Sequence, residues 1–167
     1  ISGVHNFLRK FWRLYHSAEN NFVLSNDAPT KAELKSLHKT IKKVTEDLDR
    51  FSWNTCISAF MICVNELQEQ KCNKRSVLEP LCVLLSPFAP HIAEEIWSLL
   101  GNQPSILAQA WPKSDAQYLV KDKIDFAIQV NGKLRGTVEA PPESKVDIVK
   151  SLAMQNEKIT QYLQGTV

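Results

Sequence analysis

The spacing of apolar residues changes once along this chain of 167 residues, and that change constrains the fold more than any other feature. Up to residue 101 apolar side chains recur every three or four positions, as at Val4, Phe7 and Phe11, which is the period of a helix with one buried face. From residue 124 they alternate with polar or small residues, which is the period of a half-buried strand. The sequence therefore predicts a mainly α protein, a helical bundle, with a small α+β appendage at its C-terminal end.

Local signals divide the helical part into separate helices. Thr30 and Glu33 have the spacing of a capping box, in which each side chain satisfies an exposed backbone N–H of the other residue. Ser76 and Glu79 repeat that spacing. Together with the apolar stripes that surround these starts, the signals predict a five-helix bundle over residues 1–101.

A connector and a second domain are predicted after the bundle. Residues 102–123 have no sustained period, and we expect Trp111 to anchor them on the bundle. Residues 124–167 are predicted to form a β-hairpin and one further helix, the sixth, with Ser144 and Asp147 as its capping pair.

Two signals conflict over the register of the hairpin. The Asn-Gly pair at 131–132 favours a two-residue turn, which would place Val130 opposite Lys133. A three-residue loop would instead keep one face of the hairpin apolar, and a slip of one residue turns every side chain to the other face. We therefore predict a longer loop or a bulge. The apolar register pairs Val130 with Leu134 and Phe126 with Val138.

No motif for catalysis or metal binding is found in the sequence. Its five glycines are scattered, so no glycine-rich loop can cradle a phosphate. Its four cysteines lack Cys-x-x-Cys spacing, and we interpret them as reduced thiols in the core. His91 lies one helical turn before Glu95, but acids at a helix N-terminus are ordinary partners of the helix dipole. We therefore expect a chain that binds rather than catalyses.

The cations are the remaining functional signal. A net charge of +2 is too small to indicate a polyanionic ligand, but the lysines and arginines are grouped. Such groups neutralise phosphates, whereas the alternative interpretation is an ordinary solvated helix face. The candidate nucleic-acid contacts are Arg9, Lys10, Arg13, Lys39, Lys42, Lys43, Lys74, Arg75, Lys133 and Arg135.

Several stretches together resemble one enzyme family. PFAPHIAEEIW at 87–97 resembles a signature of the helical anticodon-binding domain of class Ia aminoacyl-tRNA synthetases. The stretches at 51–67 and 3–14 resemble other helices of that domain. WPKSD at 111–115 and IQVNGKLRG at 128–136 resemble the C-terminal region of bacterial-type leucyl-tRNA synthetases, and the hairpin motif disfavours the valyl and isoleucyl enzymes.

The resemblance implies a bundle of the class Ia anticodon-binding type that docks on leucine tRNA, and a C-terminal domain that reaches toward the tRNA elbow. The family's last strands would follow Val167, so it also implies that this domain is truncated. ATP, Mg²⁺, leucylation and editing belong to upstream domains of such enzymes, which would be partners of this non-catalytic, cofactor-free part. Neither a membrane nor DNA is expected as a partner, and the expected location is the cytoplasm. The alternative is a helical protein-interaction module with no RNA role.

The resemblance also assigns roles to single residues. Lys133 and Arg135 match the hairpin motif and are expected to contact RNA or the enzyme body, while Arg9 and Arg13 match basic positions of the first helix. The other matched positions are expected to be architectural, because they stop or start helices, fill the core or form the turn. They are Pro87, Phe88, Pro90, His91, Trp97, Asn131 and Gly132.

Overall fold

A computed structural model describes residues 2–120, 124–130, 132–142 and 144–163. The contacts divide the chain into two units, Ile1–Leu119 and Val120–Val167. The first unit holds α1 (Ser2–Arg13), α2 (Lys31–Asp49), α3 (Trp53–Glu69), α4 (Arg75–Leu85) and α5 (Pro90–Leu99), and the second holds β1 (Ile124–Val130), β2 (Lys133–Ala140), α6 (Val146–Gln155) and α7 (Glu157–Leu163). The predicted fold class, a helical bundle with a small α+β appendage, is therefore confirmed.

The bundle is organised around aromatic and branched side chains that its helices bury together. Phe11, Phe60 and Leu81 are fully buried, and α2 packs extensively on α3. The hydroxyl of Tyr15 donates a hydrogen bond of 2.8 Å to the carbonyl of Leu78, which joins the end of α1 to α4. Burial raises the pKa of Tyr15 well above its ordinary value, so this hydroxyl remains a donor at any physiological pH.

The first predicted capping box is confirmed. The backbone N–H of Glu33 donates to the hydroxyl of Thr30 over 3.2 Å, and the backbone N–H of Thr30 donates to the Glu33 carboxylate over 2.6 Å. Burial alone would raise the pKa of Glu33, but the hydrogen bonds, first that from the Thr30 backbone, lower it overall. The carboxylate is therefore held in its charged form at the positive end of α2.

The second predicted capping box is wrong. Helix α4 begins at Arg75, after Lys74, and no side chain caps it. Glu79 instead accepts a hydrogen bond of 2.8 Å from Arg75 and one of 2.9 Å from Asn102. An ion pair one helical turn away and an amide from a distant residue thus compete successfully for the carboxylate that the sequence pattern assigned to Ser76.

After α5, the chain returns along the bundle. Gly101 follows the C-cap of α5 with a φ of +76°, a left-handed conformation that favours glycine. Trp111 packs against the core, and its indole N–H donates to the hydroxyl of Thr45 over 2.9 Å. The ring of His38 stacks on that of Tyr118 with centroids 4.6 Å apart, and His38 Nδ1 accepts the backbone N–H of Asp115. Two helix α2 side chains therefore hold this segment.

This contact predicts a pH-dependent stability. Burial lowers the pKa of His38, and the charge of Asp115 only partly opposes that shift. The unfolded chain then binds a proton more readily than the folded chain, so the free energy of unfolding should fall as the pH drops below about 6.5. In the variant His38→Asn the amide oxygen can accept the same N–H without titrating. Urea unfolding measured between about pH 8 and about pH 5 should show that the free energy of unfolding decreases more steeply with falling pH in the wild type than in the variant. The same pH dependence in both proteins would contradict the prediction.

A bulge reconciles the two signals in the hairpin. Val130 pairs with Lys133, so the turn has two residues, and Phe126 pairs with Val138 as the apolar register requires. The register shifts between Ile128 and Gln129, where Arg135 is the extra residue of β2. The predicted bulge is confirmed and the predicted pairing of Val130 with Leu134 is wrong, because one extra residue lets the short turn and the apolar face coexist.

The predicted sixth helix is wrong as a single element, since it is divided into α6 and α7 at Asn156. The backbone of Asn156 is extended, with φ −85° and ψ 110°, and its carbonyl accepts the N–H of Ile159 over 2.9 Å. Helix α6 begins after Lys145 without a side-chain cap, so the predicted capping pair of Ser144 and Asp147 is wrong as well. At the start of α7, asparagine suits position 156 because its side chain can hydrogen-bond to nearby backbone groups and so competes with a continuous helix.

No helix in the described part of the chain is both long enough and apolar enough to cross a lipid bilayer.

Candidate nucleic-acid interface

Helix α1 presents the first group of predicted cations on its solvent side. Phe7 and Phe11 are buried, whereas Arg9, Lys10 and Arg13 are exposed. Arg9 donates to the side chain of Asn6 over 3.3 Å, and the ammonium of Lys10 donates to the Asn65 amide oxygen over 2.8 Å. Within the described residues, none of the three cations forms an ion pair with a carboxylate. Their charge is therefore available to an external anion.

Two clefts follow the seam between α1 and α3. The first, of about 130 Å³, is lined on its polar side by Asn6, Lys10 and Asn65. The second, of about 320 Å³, has Arg13, Gln68, Lys71 and Asn73 as its polar lining. The side-chain amide of Gln68 donates to the backbone carbonyl of Lys10 over 3.3 Å, so the two clefts adjoin. Among the described residues, neither lining contains an aspartate or a glutamate.

The predicted cations of α2 are each paired with an acid. Lys39 lies 3.5 Å from a Glu66 oxygen and Lys43 lies 2.7 Å from an Asp47 oxygen, on the side of α2 that faces α3. Lys42 lies 3.9 Å from Glu46, beside a different cleft that Trp111 lines. A phosphate that approached these lysines would have to compete with a carboxylate already in place. Their contact with RNA stays a prediction.

Lys74 and Arg75 also have acidic partners. Lys74 lies 3.1 Å from Asp27, whose pKa is lowered first by the hydrogen bond from Ser25 and then by this lysine. Arg75 lies 2.8 Å from Glu79 and donates to the carbonyl of Leu100 over 3.1 Å, which ties the start of α4 to the end of α5. Lys71 and the amides that line the clefts are not among the predicted contacts, because nothing local in the sequence distinguishes Lys71 from Lys74 and Arg75.

The second unit holds the remaining two predicted cations at its hairpin. Lys133 is exposed at the first position of β2. The guanidinium carbon of Arg135 lies 4.0 Å from the ring centroid of Tyr162, a cation–π contact. Its Nε is buried without a hydrogen-bond partner among the described residues, so the rest of the guanidinium is the part that can meet a ligand.

The architectural positions occupy the places that helix ends and cores require. Pro90 is the first residue of α5, and Pro87 lies in the turn before it. The ring of Phe88 packs edge-on against those of Phe60 and Trp53 at 5.2 and 5.3 Å. The indole N–H of Trp97 donates to the Pro104 carbonyl over 2.9 Å, and His91 is exposed early in α5. Gly132 has a φ of +73°, and Asn131 lies outside the described residues.

The four cysteines are buried in the bundle core. Burial raises the pKa of the Cys63, Cys72 and Cys82 thiols to about 12, and Cys56 is buried as well. Such thiols are protonated and unreactive near neutral pH. In the part of the chain that the structure describes, no three His, Cys, Asp or Glu side chains come together as metal ligands.

The fold, the free cations and a sequence match define the class of this protein. Residues 31–150 match the family described as the anticodon-binding domain of tRNA ligase, and the chain belongs to that family.

Within the family, the relatives are leucine–tRNA ligases. The chain is 49% identical to the leucine–tRNA ligase of Flavobacterium johnsoniae over 167 residues, which is 100% of the chain and 17% of the relative. It is 46% identical to that of Bacteroides thetaiotaomicron over 165 residues, 99% of the chain and 18% of the relative. The chain thus spans less than a fifth of these relatives and matches their C-terminal part, which confirms the predicted resemblance.

A solved structure agrees with the sequence matches. The LeuRS of Agrobacterium radiobacter K84, in a ternary complex with tRNA and LeuAMS, superposes with a TM-score of 0.72 at 28% identity. The match covers 96% of this chain and 22% of that one.

Proposed function

We propose that this chain is the tRNA-binding part of a leucine–tRNA ligase and positions leucine tRNA for leucylation by other domains of that enzyme. The observation that carries the proposal is the match of the whole chain, at 46–49% identity, to one part of leucine–tRNA ligases. The similarity to a LeuRS solved with tRNA supports RNA as the ligand. ATP, Mg²⁺ and editing are assigned to the remaining domains. The protein-interaction alternative is not favoured by these matches.

The exposed groups suit the recognition of RNA by its backbone and shape. A double-stranded RNA helix has a deep major groove that side chains cannot read, so proteins contact its phosphates and 2′-hydroxyls. The two clefts of the α1–α3 seam offer cations and side-chain amides. Discrimination among tRNAs would then come from shape, as the long variable arm of leucine tRNA provides.

The proposal is tested by titrating the chain with leucine tRNA and with a tRNA of short variable arm, each at two salt concentrations. We expect tighter binding to leucine tRNA, and an affinity that falls by about 0.7–0.9 log units per log unit of salt for each phosphate contacted. Binding that ignores salt, or no binding to either tRNA, would contradict a tRNA-binding role for this part.

The hairpin cations should contribute to that affinity. The double variant Lys133→Ala and Arg135→Ala is expected to weaken binding of leucine tRNA and to lower the salt slope by about 1.4–1.8, because two phosphate contacts are lost. Lys145→Ala, which removes a cation of the same unit outside the hairpin, is the matched control. Circular dichroism verifies that the variants are folded. The assignment would be wrong if the double substitution left the tRNA affinity of the chain unchanged and, in a full-length ligase, left the charging kinetics unchanged.

A further inference from the structure

The end of α3 has a lysine where the backbone favours glycine. Lys71 has a φ of +53°. Its N–H donates to the carbonyl of Gln68 over 3.0 Å and the N–H of Cys72 donates to that of Leu67 over 2.9 Å. This is the Schellman arrangement, whose left-handed residue is usually glycine because a Cβ is disfavoured there. The side chain of Lys71 is exposed, so its burial does not offset that disadvantage.

Helix α5 ends in the same arrangement with a glycine. Gly101 has a φ of +76°, and its N–H and that of Asn102 donate to the carbonyls of Ser98 and Trp97 over 2.9 and 3.3 Å. The same helix ending is therefore built with glycine at α5 and with a cation at α3. Helix α2 ends in the same way with Phe51, so this backbone requires neither glycine nor a cation, and the role of Lys71 depends on where its charge lies.

That charge lies in a favourable place for an anion. Lys71 lines the same cleft as Arg13, and the adjoining cleft holds Lys10. Ion pairs occupy Lys39 and Lys43 of α2, but no carboxylate is among the described residues that line either cleft of the α1–α3 seam. A polyanion that follows the seam would meet these cations without displacing an acid.

Side-chain amides complete the seam. The oxygen of Asn65 accepts from Lys10, so its amide nitrogen is the group that can donate to a ligand. Gln68 and Asn73 each donate to a backbone carbonyl over 3.3 Å, and an amide nitrogen has a second hydrogen to offer. Cations interleaved with amides donate to phosphate and sugar oxygens, which positions a nucleic-acid backbone without reading bases.

We propose that the α1–α3 seam is the surface on which this bundle holds an RNA sugar–phosphate backbone, and that Lys71 with Lys10 and Arg13 supplies its phosphate contacts. The proposal rests on the tRNA-binding function proposed above and selects one surface for it. Because any regular RNA backbone presents the same groups, this surface contributes affinity and orientation, whereas preference for leucine tRNA would lie elsewhere.

The test replaces Lys71 with glycine in the whole chain and measures leucine tRNA binding over a range of salt concentrations, together with thermal unfolding. We expect the affinity to fall several-fold at low salt and the salt slope to drop by about 0.7–0.9, as for one lost phosphate contact. The midpoint of unfolding should not fall, because glycine suits the left-handed backbone. Lys71→Arg keeps the charge and should keep the slope.

Phe51→Gly is the matched control for the backbone change. Phe51 ends α2 in the same arrangement, with a φ of +56°, and is also exposed. This variant also replaces a left-handed residue at a helix end with glycine, but it removes no charge. Its salt slope should therefore equal that of the wild type. A wild type that binds with a steep salt slope, together with a Lys71→Gly variant whose affinity and slope are unchanged, would overturn the seam and leave the tRNA function standing. A wild type that fails to bind tRNA would overturn both.

Discussion

Replacing Phe60 with alanine is expected to lower the free energy of unfolding of the bundle by about 3–5 kcal/mol. The side chain is fully buried on α3, and its ring packs edge-on against that of Phe88 with centroids 5.2 Å apart. Alanine would leave a cavity where α3 meets the turn before α5, and the cost of such a cavity adds to the loss of the buried ring. Since small domains are stable by only about 5–15 kcal/mol, this loss would be a large share of the total.

The measurement is urea unfolding followed by circular dichroism, with Ile62→Ala as the control. Ile62 lies on the same helix two residues away, but 52% of its side chain is exposed. The same kind of truncation there should change the free energy of unfolding by no more than about 0.5 kcal/mol. A Phe60→Ala variant that lost less than about 1 kcal/mol would contradict the packing described for this part of the core.

The helices could be predicted from the sequence because their signals are local. Apolar residues three and four positions apart define a buried face wherever the partner helix lies, and Thr30 with Glu33 needs only its own helix to form a capping box. The identical spacing at Ser76 and Glu79 failed for a reason that no local pattern contains. Asn102, 23 residues from Glu79, donates to that carboxylate.

The appendage was harder to predict, because it depends on how local preferences are combined. The Asn-Gly turn and the apolar alternation demanded different registers, and the extra residue Arg135 satisfies both. The apolar period also continues across Asn156, so periodicity alone did not reveal that the backbone becomes extended there. The break at Asn156 lies between α6 and the helix that carries Ile159 into the core of this unit, and that tertiary contact is not visible in the sequence.

Candidate cations could be named from the sequence, but whether each one is paired with an acidic side chain could not. Lys39 meets Glu66 from 27 positions away, and Lys74 meets Asp27 from 47. Lys71 looks equivalent to Lys74 in the sequence, yet only the structure places it beside Arg13 in a cleft without acids. Which lysines keep their charge for a ligand is a property of the tertiary fold.

Replacing Ile159 with alanine is expected to destabilise the second unit by about 2–5 kcal/mol, which is enough to unfold a small two-stranded unit. Only 1% of Ile159 is exposed, and it shares the core of this unit with Val138 and Ala153. Its side chain lies so close to Gly136 that a Cβ on that glycine would come within 3.1 Å of it. The sheet therefore packs directly on this side chain at Gly136.

Hydrogen exchange measures this effect segment by segment. Amides of β1 and β2 should lose protection in Ile159→Ala, while those of α3 keep it because the bundle core contains none of these residues. Met154→Ala, at a side chain 64% exposed on α6, is the control and should leave both segments protected. Since Lys133 and Arg135 are presented by β2, the loss of tRNA affinity in Ile159→Ala should equal that of the double hairpin variant. If β1 and β2 kept full protection, Ile159 would not be the residue that joins α7 to the sheet.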